Sequence, residues 1–109
     1  GGRDIVAQVS ERLVRAQDGY PDLETVAAQL AMSTRTLKRK LQQAGSGFQL
    51  LLDAARQRDA TRLLRDSRQS IEEIAAWIGF AEPANFTHAF RRWTGTTPSE
   101  WRERERAMR

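Results

Sequence analysis

The chain repeats an apolar helical pattern, and this repeat constrains the fold more than any other feature. One stripe of apolar residues returns 48 residues later, and the stripe that follows it returns 49 residues later. The first consists of Leu23, Val26, Ala27 and Leu30, repeated as Ile71, Ile74, Ala75 and Ile78. The second consists of Leu37, Leu41 and Ala44, repeated as Phe86, Phe90 and Trp93. Each copy places a small residue in the middle of a short helix, so that a second helix can cross it closely, as a helix-turn-helix requires.

The rest of the chain also favours helix, because only three prolines occur and β-branched residues never alternate as in a strand. We predict an all-α chain of seven helices within one domain, 3–109. The first helix should span about 4–16, and a long fourth helix about 48–64. The other five should begin after N-cap residues or at a proline: Asp22, Ser33, Ser70 with Glu73 in a capping box, Pro83, and Thr97 with Glu100 in a second box. A loop should span 18–21, beginning with Asp18. The first helix-turn-helix subdomain is then 3–46, the linker helix 47–65 and the second subdomain 66–109.

Composition excludes several classes of protein. The chain has no cysteine and one histidine, His88, which excludes disulfides and thiolate metal sites and argues against a histidine zinc site. No apolar stretch approaches the ~20 residues of a membrane helix. We therefore expect a cytoplasmic protein without metal or cofactor and with no membrane partner. The first residues lack a signal-peptide pattern and a starting Met, so we expect a fragment or a processed chain.

No pattern of an enzyme is visible. Glu72 and Glu73 are neighbours on a helix and do not face each other. The segment 45–47 is Gly-Ser-Gly, but it lacks the Lys-Ser/Thr that completes a phosphate-binding loop. We therefore expect a binding protein.

The distribution of charge points to a polyanion as the partner. No acidic residue lies between Glu24 and Asp53, and the cations of that window equal the whole net charge of +4: Arg35, Lys38, Arg39 and Lys40. A second acid-free window, 83–99, holds His88, Arg91 and Arg92. At 100° per residue, both windows place their polar residues opposite the apolar stripes. Such faces are typical of nucleic-acid binding.

The second half carries a motif that resembles a known family. Its elements are Ile74-Ala75, Gly79-Phe80, Asn85-Phe86, Ala89-Phe90, Gly95, Pro98 and Arg102. They resemble the signature of the AraC/XylS family of bacterial transcription regulators, and the resemblance extends from about Asp4 to Arg102. It implies a DNA-binding domain with two helix-turn-helix units joined by a long linker helix. Two positions depart from the pattern: Ala31 stands where a turn glycine is usual, and Gln57 replaces a commonly aliphatic residue.

The resemblance also implies roles for individual residues. Base readers of the family match Arg35, Thr36, Lys38, Arg39, Asn85, Thr87 and His88. Phosphate contacts are expected from Ser33, Thr34, Lys40, Gln42, Arg91 and Arg92. The expected partners are double-stranded promoter or operator DNA and RNA polymerase, with an effector bound only by an N-terminal domain absent from this chain.

The length of the linker agrees with this expectation. A helix of about 17 residues is ~26 Å long. Together with the width of the flanking helices, it suits two recognition helices ~34 Å apart in successive major-groove segments.

Two alternatives stay open at this point. A basic helical RNA-binding module would need exposed aromatics for stacking, whereas the aromatics here fall mainly on the inward stripes. In a protein-interaction bundle the acid-free windows would be accidental. Arg56, in the linker helix, could bridge the two halves or contact a phosphate.

Overall fold

The computed structural model describes residues 4–16 and 19–108, so the loop position Asp18 lies outside the described residues. Seven α-helices and no strand occur in this part of the chain, which confirms the all-α prediction. The helices are α1 Ile5–Arg12, α2 Leu23–Gln29, α3 Thr34–Gln43, α4 Phe48–Asp66, α5 Ile71–Ile78, α6 Pro83–Thr94 and α7 Pro98–Ala107. None of these helices is long and apolar enough to span a lipid bilayer.

The N-cap residues determine where four of the helices begin. The side chains of Asp22, Ser33, Ser70 and Thr97 each accept the backbone N–H three residues further on, at 2.8 to 3.2 Å. Each bond satisfies an N–H group that has no partner within its own helix. At α5 the capping box is complete, because Glu73 accepts the backbone N–H of Ser70 at 3.1 Å.

Three predicted details were wrong. Ala44, expected on the inward stripe with Leu37 and Leu41, is exposed, because it is the C-cap residue at the end of α3. The helix α1 ends at Arg12 and not near Ala16, because the N–H of Leu13 turns back to Ser10 O and Ala16 pairs with Gly19 through two backbone hydrogen bonds. The box expected at α7 is only half formed. The Glu100 carboxylate there accepts the Thr97 hydroxyl at 2.8 Å instead of the backbone N–H.

The chain divides into two compact units, one up to Ala55 and one from Arg56 onward. The boundary lies inside α4. In the first unit, the buried core consists of Val9, Leu13, Val26, Ala27, Leu37, Leu41, Leu51 and Ala55. In the second, it consists of Ala60, Leu64, Ile74, Ala75, Ile78, Phe86 and Phe90. The first part of α4 therefore completes one core and its last part completes the other.

The turn that ends the short helix has the same hydrogen bonding in both units. The N–H of Met32 bonds to Ala27 O at 3.0 Å, and the N–H of Phe80 bonds to Ala75 O at 2.9 Å. The residue before each of these donors has a positive φ, +58° at Ala31 and +112° at Gly79. The sequence repeat is thus a repeat of backbone structure, and Ala31 adopts a left-handed conformation that usually selects glycine.

Candidate nucleic-acid interface

The first turn of α3 is held in place by Ser33. Its hydroxyl accepts the backbone N–H of Thr36 at 3.1 Å and donates to the Thr36 hydroxyl at 3.0 Å. Thr36 and Thr34 are half-buried, and Ser33 is exposed. The backbone N–H groups of Thr34 and Arg35, at the first two helical positions, have no partner within the helix. They are therefore available to water or to an anion.

The outward face of α3 is formed by the predicted site residues. Leu37 and Leu41 are buried, whereas the exposed residues are Arg35, Lys38, Arg39, Lys40 and Gln42. None of the four cations forms an ion pair with any residue that the structure describes. Arginines elsewhere do form such pairs, as between Arg58 and Asp59, where the closest N–O distance is 3.1 Å. The cations of α3 are therefore free to bind an external anion.

The outward face of α6 is similar in form but less charged. Phe86, Ala89 and Phe90 are buried and Thr87 is half-buried. The exposed residues are Ala84, Asn85, His88, Arg91 and Arg92. Within the described residues, neither arginine has a carboxylate partner. The structure thus places the predicted site residues of both helices on the sides turned away from the cores.

The residue that precedes α6 was missed by the sequence reasoning. Glu82 is the N-cap residue of α6, yet its exposed side chain makes no capping hydrogen bond. The helix dipole favours a carboxylate at this end, but a nearby phosphate would repel it. The signal was present in the sequence, because Glu82 directly precedes both Pro83 and the acid-free window.

The aromatic side chains of the second unit pack against one another. The ring centroids of Phe90 lie 5.8 Å from Phe86 and 6.2 Å from Trp101, and those of Phe80 and Trp93 are 6.2 Å apart. Phe86 and Phe90 belong to the buried core, and the half-buried Phe80, Trp93 and Trp101 pack against it. None of these rings is exposed as the stacking surface of an RNA-binding module would be.

Arg56 also belongs to the second unit. Its guanidinium carbon lies 5.5 Å from the centroid of the Phe80 ring, a cation–π contact. One of its terminal nitrogens would lie 3.9 Å from a Cβ added at Gly79. Arg56 therefore packs against the turn between α5 and α6.

Comparison with known proteins identifies a domain of this architecture. A family model described as a helix-turn-helix domain matches residues 26–104. The ornithine utilization regulator of Pseudomonas aeruginosa is 43% identical over 93 residues, which cover 84% of this chain and 27% of that protein. The chain spans less than a third of the length of the curated relatives it matches.

Solved structures agree with this result. A DNA-binding transcriptional dual regulator from Escherichia coli K-12 has a TM-score of 0.84 and 27% identity, covering 99% of this chain and 96% of that one. The DNA-binding domain of AdpA, solved in complex with a target DNA, has a TM-score of 0.74 and 36% identity, covering 98% and 97%.

An AraC-type protein from Chromobacterium violaceum shares the fold with a TM-score of 0.76 at 23% identity, over 94% of this chain and 88% of that one. The repeated turn, the seven helices and the family match over most of the chain support one assignment. The chain belongs to the AraC/XylS family, as a helix-turn-helix domain of transcription regulators.

Proposed function

We propose that this domain binds a specific sequence of double-stranded DNA, with α3 and α6 as its two recognition helices. The observation that carries the proposal is the pair of exposed, acid-free helix faces at equivalent positions of two repeated units. Recognition helices of helix-turn-helix proteins enter the major groove through residues near their N-terminal half. Exposed cations without carboxylate partners within the described chain can then bind phosphates and base edges without first breaking an ion pair.

The proposed base readers are Arg35, Thr36, Lys38, Arg39, Asn85, Thr87 and His88. Arg39 is the strongest of them, because an arginine can form two hydrogen bonds with the O6 and N7 atoms of guanine. His88 stands at the matching position of α6 and would read a base edge through a ring nitrogen. Thr36 and Thr87 are half-buried, and their short side chains would contact bases that lie close to the recognition helix.

The proposed phosphate contacts are Ser33, Thr34, Lys40, Gln42, Arg91 and Arg92. At the start of α3, the free backbone N–H groups suit a phosphate oxygen, aided by the helix dipole. The Ser33 hydroxyl already donates its hydrogen to Thr36. Ser33 would therefore contribute mainly by holding the first turn in place, and any contact of its own would come from its backbone N–H.

The length of α4 supports binding by a single copy of the domain. Its 19 residues correspond to about 28 Å of helix. We propose that one copy engages two successive major-groove segments, so that an asymmetric operator can be read without a dimer. Hydroxyl-radical footprinting of a monomeric complex should show two protected regions about 10 base pairs apart.

We propose the biological setting of the domain on the basis of its family. The domain would act in the bacterial cytoplasm at promoters, as part of an activator in contact with RNA polymerase and associated with the nucleoid. Effector control would come from an N-terminal domain, and the chain itself would have no enzymatic activity.

Selection of binding sites from a random duplex pool tests the proposal. The domain should then be titrated against the selected duplex, a shuffled duplex and a single-stranded RNA of the same length. We expect the selected duplex to bind at least 10³-fold more tightly than the shuffled one. Equal affinity for all three, or tighter binding of RNA, would refute it.

A further inference from the structure

A cavity in the second unit is lined almost entirely by charged side chains, none of which belongs to α6. It has a volume of about 570 Å³ and lies between the end of α4 and one face of α7. Its lining residues are Arg65, Asp66, Ser67, Arg68, Arg102 and Arg106. Four arginines and one aspartate give this small volume a strong positive charge.

Most of this charge has no carboxylate partner. Arg65 forms an ion pair with Asp66, with an N–O distance of 3.2 Å. Asp66 is the only acidic residue that lines the cavity. Arg102 and Arg106 bond to backbone carbonyl oxygens, and Arg68 makes no hydrogen bond or ion pair within residues 4–16 and 19–108. Arg68, Arg102 and Arg106 therefore line the cavity without forming an ion pair of their own within the described residues.

Capping of α4 explains only part of this arrangement. Arg102 Nε donates to Leu64 O at 2.9 Å, and one of its terminal nitrogens lies 3.5 Å from Leu63 O. Cations at the end of a helix are favoured by its dipole. Arg106 uses only one terminal nitrogen, for Ser67 O at 3.2 Å, and keeps its other N–H groups free. Burial, together with the charge of Arg106, lowers the pKa of Arg102, as expected where like charges meet.

We propose that this cavity binds a phosphate group carrying more than one negative charge, held by Arg68, Arg102 and Arg106. Guanidinium groups match phosphate oxygens in planar, two-point hydrogen bonds, and the anion would offset the repulsion between the arginines. The phosphate could belong to a small metabolite or to the backbone of DNA flanking the operator, and the test below separates these sources. The proposal is independent of how α3 and α6 read bases.

The probe for the first source is inorganic pyrophosphate, compared with chloride at equal ionic strength. Amide chemical shifts should move in a saturable way for 65–68 and 102–106 and stay unchanged on α2, which carries no cation. Arg68→Gln and Arg106→Gln should each weaken pyrophosphate binding about tenfold or more. Arg104→Gln is the matched control, because Arg104 is exposed on the same helix but does not line the cavity. It should change the affinity less than about twofold.

The second source is tested by the salt dependence of DNA binding on duplexes with long flanks. If the backbone of DNA occupies the cavity, Arg68→Gln and Arg106→Gln should each reduce the log–log slope by about one unit, and Arg104→Gln should not. An unchanged slope together with pyrophosphate binding would identify a small phosphorylated ligand. The proposal would be overturned if pyrophosphate does not bind and the slope does not change. Losses in Arg104→Gln equal to those in Arg68→Gln and Arg106→Gln would overturn it as well.

Discussion

Exchanging the residues at the two equivalent turns should shift stability in opposite directions. Ala31 has φ +58°, and it is the only non-glycine residue with a positive φ in the described chain. An L-residue in this conformation costs roughly 1–2 kcal/mol, while glycine loses about 0.4–1 kcal/mol more entropy on folding than alanine. Ala31→Gly should therefore stabilise the first unit by about 0.5–1 kcal/mol.

The reverse change at the second turn should destabilise its unit. A Cβ at Gly79 would have its nearest contact at 3.9 Å, an ordinary van der Waals distance, so the cost comes from the backbone alone. At φ +112°, Gly79 lies further from the left-handed region open to alanine than Ala31 does. We expect Gly79→Ala to cost about 1–3 kcal/mol.

The assay must distinguish the two units. All three tryptophans lie after residue 55, so fluorescence during denaturation reports unfolding of the second unit. Native-state amide exchange at Val26 and Leu37 reports the first. Ala44→Gly is the control for Ala31→Gly, because Ala44 is also exposed and ends a helix but has φ −85°. It should destabilise by about 0.5–1 kcal/mol. Equal destabilisation by both changes would refute the backbone argument.

Three further predictions concern the core, a base reader and a helix cap. Phe90 is fully buried, so Phe90→Ala should cost about 3–5 kcal/mol and reduce amide protection across 71–93, whereas undiminished protection would contradict its placement. Arg39→Ala should weaken specific DNA binding by roughly 1–3 kcal/mol and relax preference at one or two base pairs; an unchanged selected motif would remove Arg39 from the readers. The backbone N–H and then the hydroxyl of Ser70 lower the pKa of Glu73, so the ionised carboxylate stabilises α5 at neutral pH. This stabilisation should fade as the pH falls below about 4.3, and Glu73→Gln should remove that part of the pH dependence of the denaturation midpoint. A wild-type profile retained by the variant would disprove the link.

The sequence predicted the features that depend on local chemistry. Side-chain caps such as Ser70 and apolar stripes such as Phe86 with Phe90 act over a few residues, so spacing alone reveals them. The end of α1 was missed because the segment 13–16 contains neither glycine nor proline, and a backbone pairing with Gly19 decides it. The arginine cavity was missed for a different reason. Arg102 meets Leu64 across 38 residues of sequence, and no periodic pattern reports such a contact.

The central proposal is that the outward face of α3 meets the phosphates and bases of DNA. The direct test is the salt dependence of affinity for the selected duplex, measured for the double change Lys38→Gln with Lys40→Gln. The double change should flatten the log–log slope by up to about two units, one for each cation removed from the face of α3. Arg12→Gln with Arg104→Gln removes the same charge from exposed positions outside both faces and should leave the slope nearly unchanged. His88→Gln should also leave it unchanged, because this change removes no lysine or arginine from the face of α6. A larger loss of slope from His88→Gln or from the arginine pair than from the lysine pair would contradict the account.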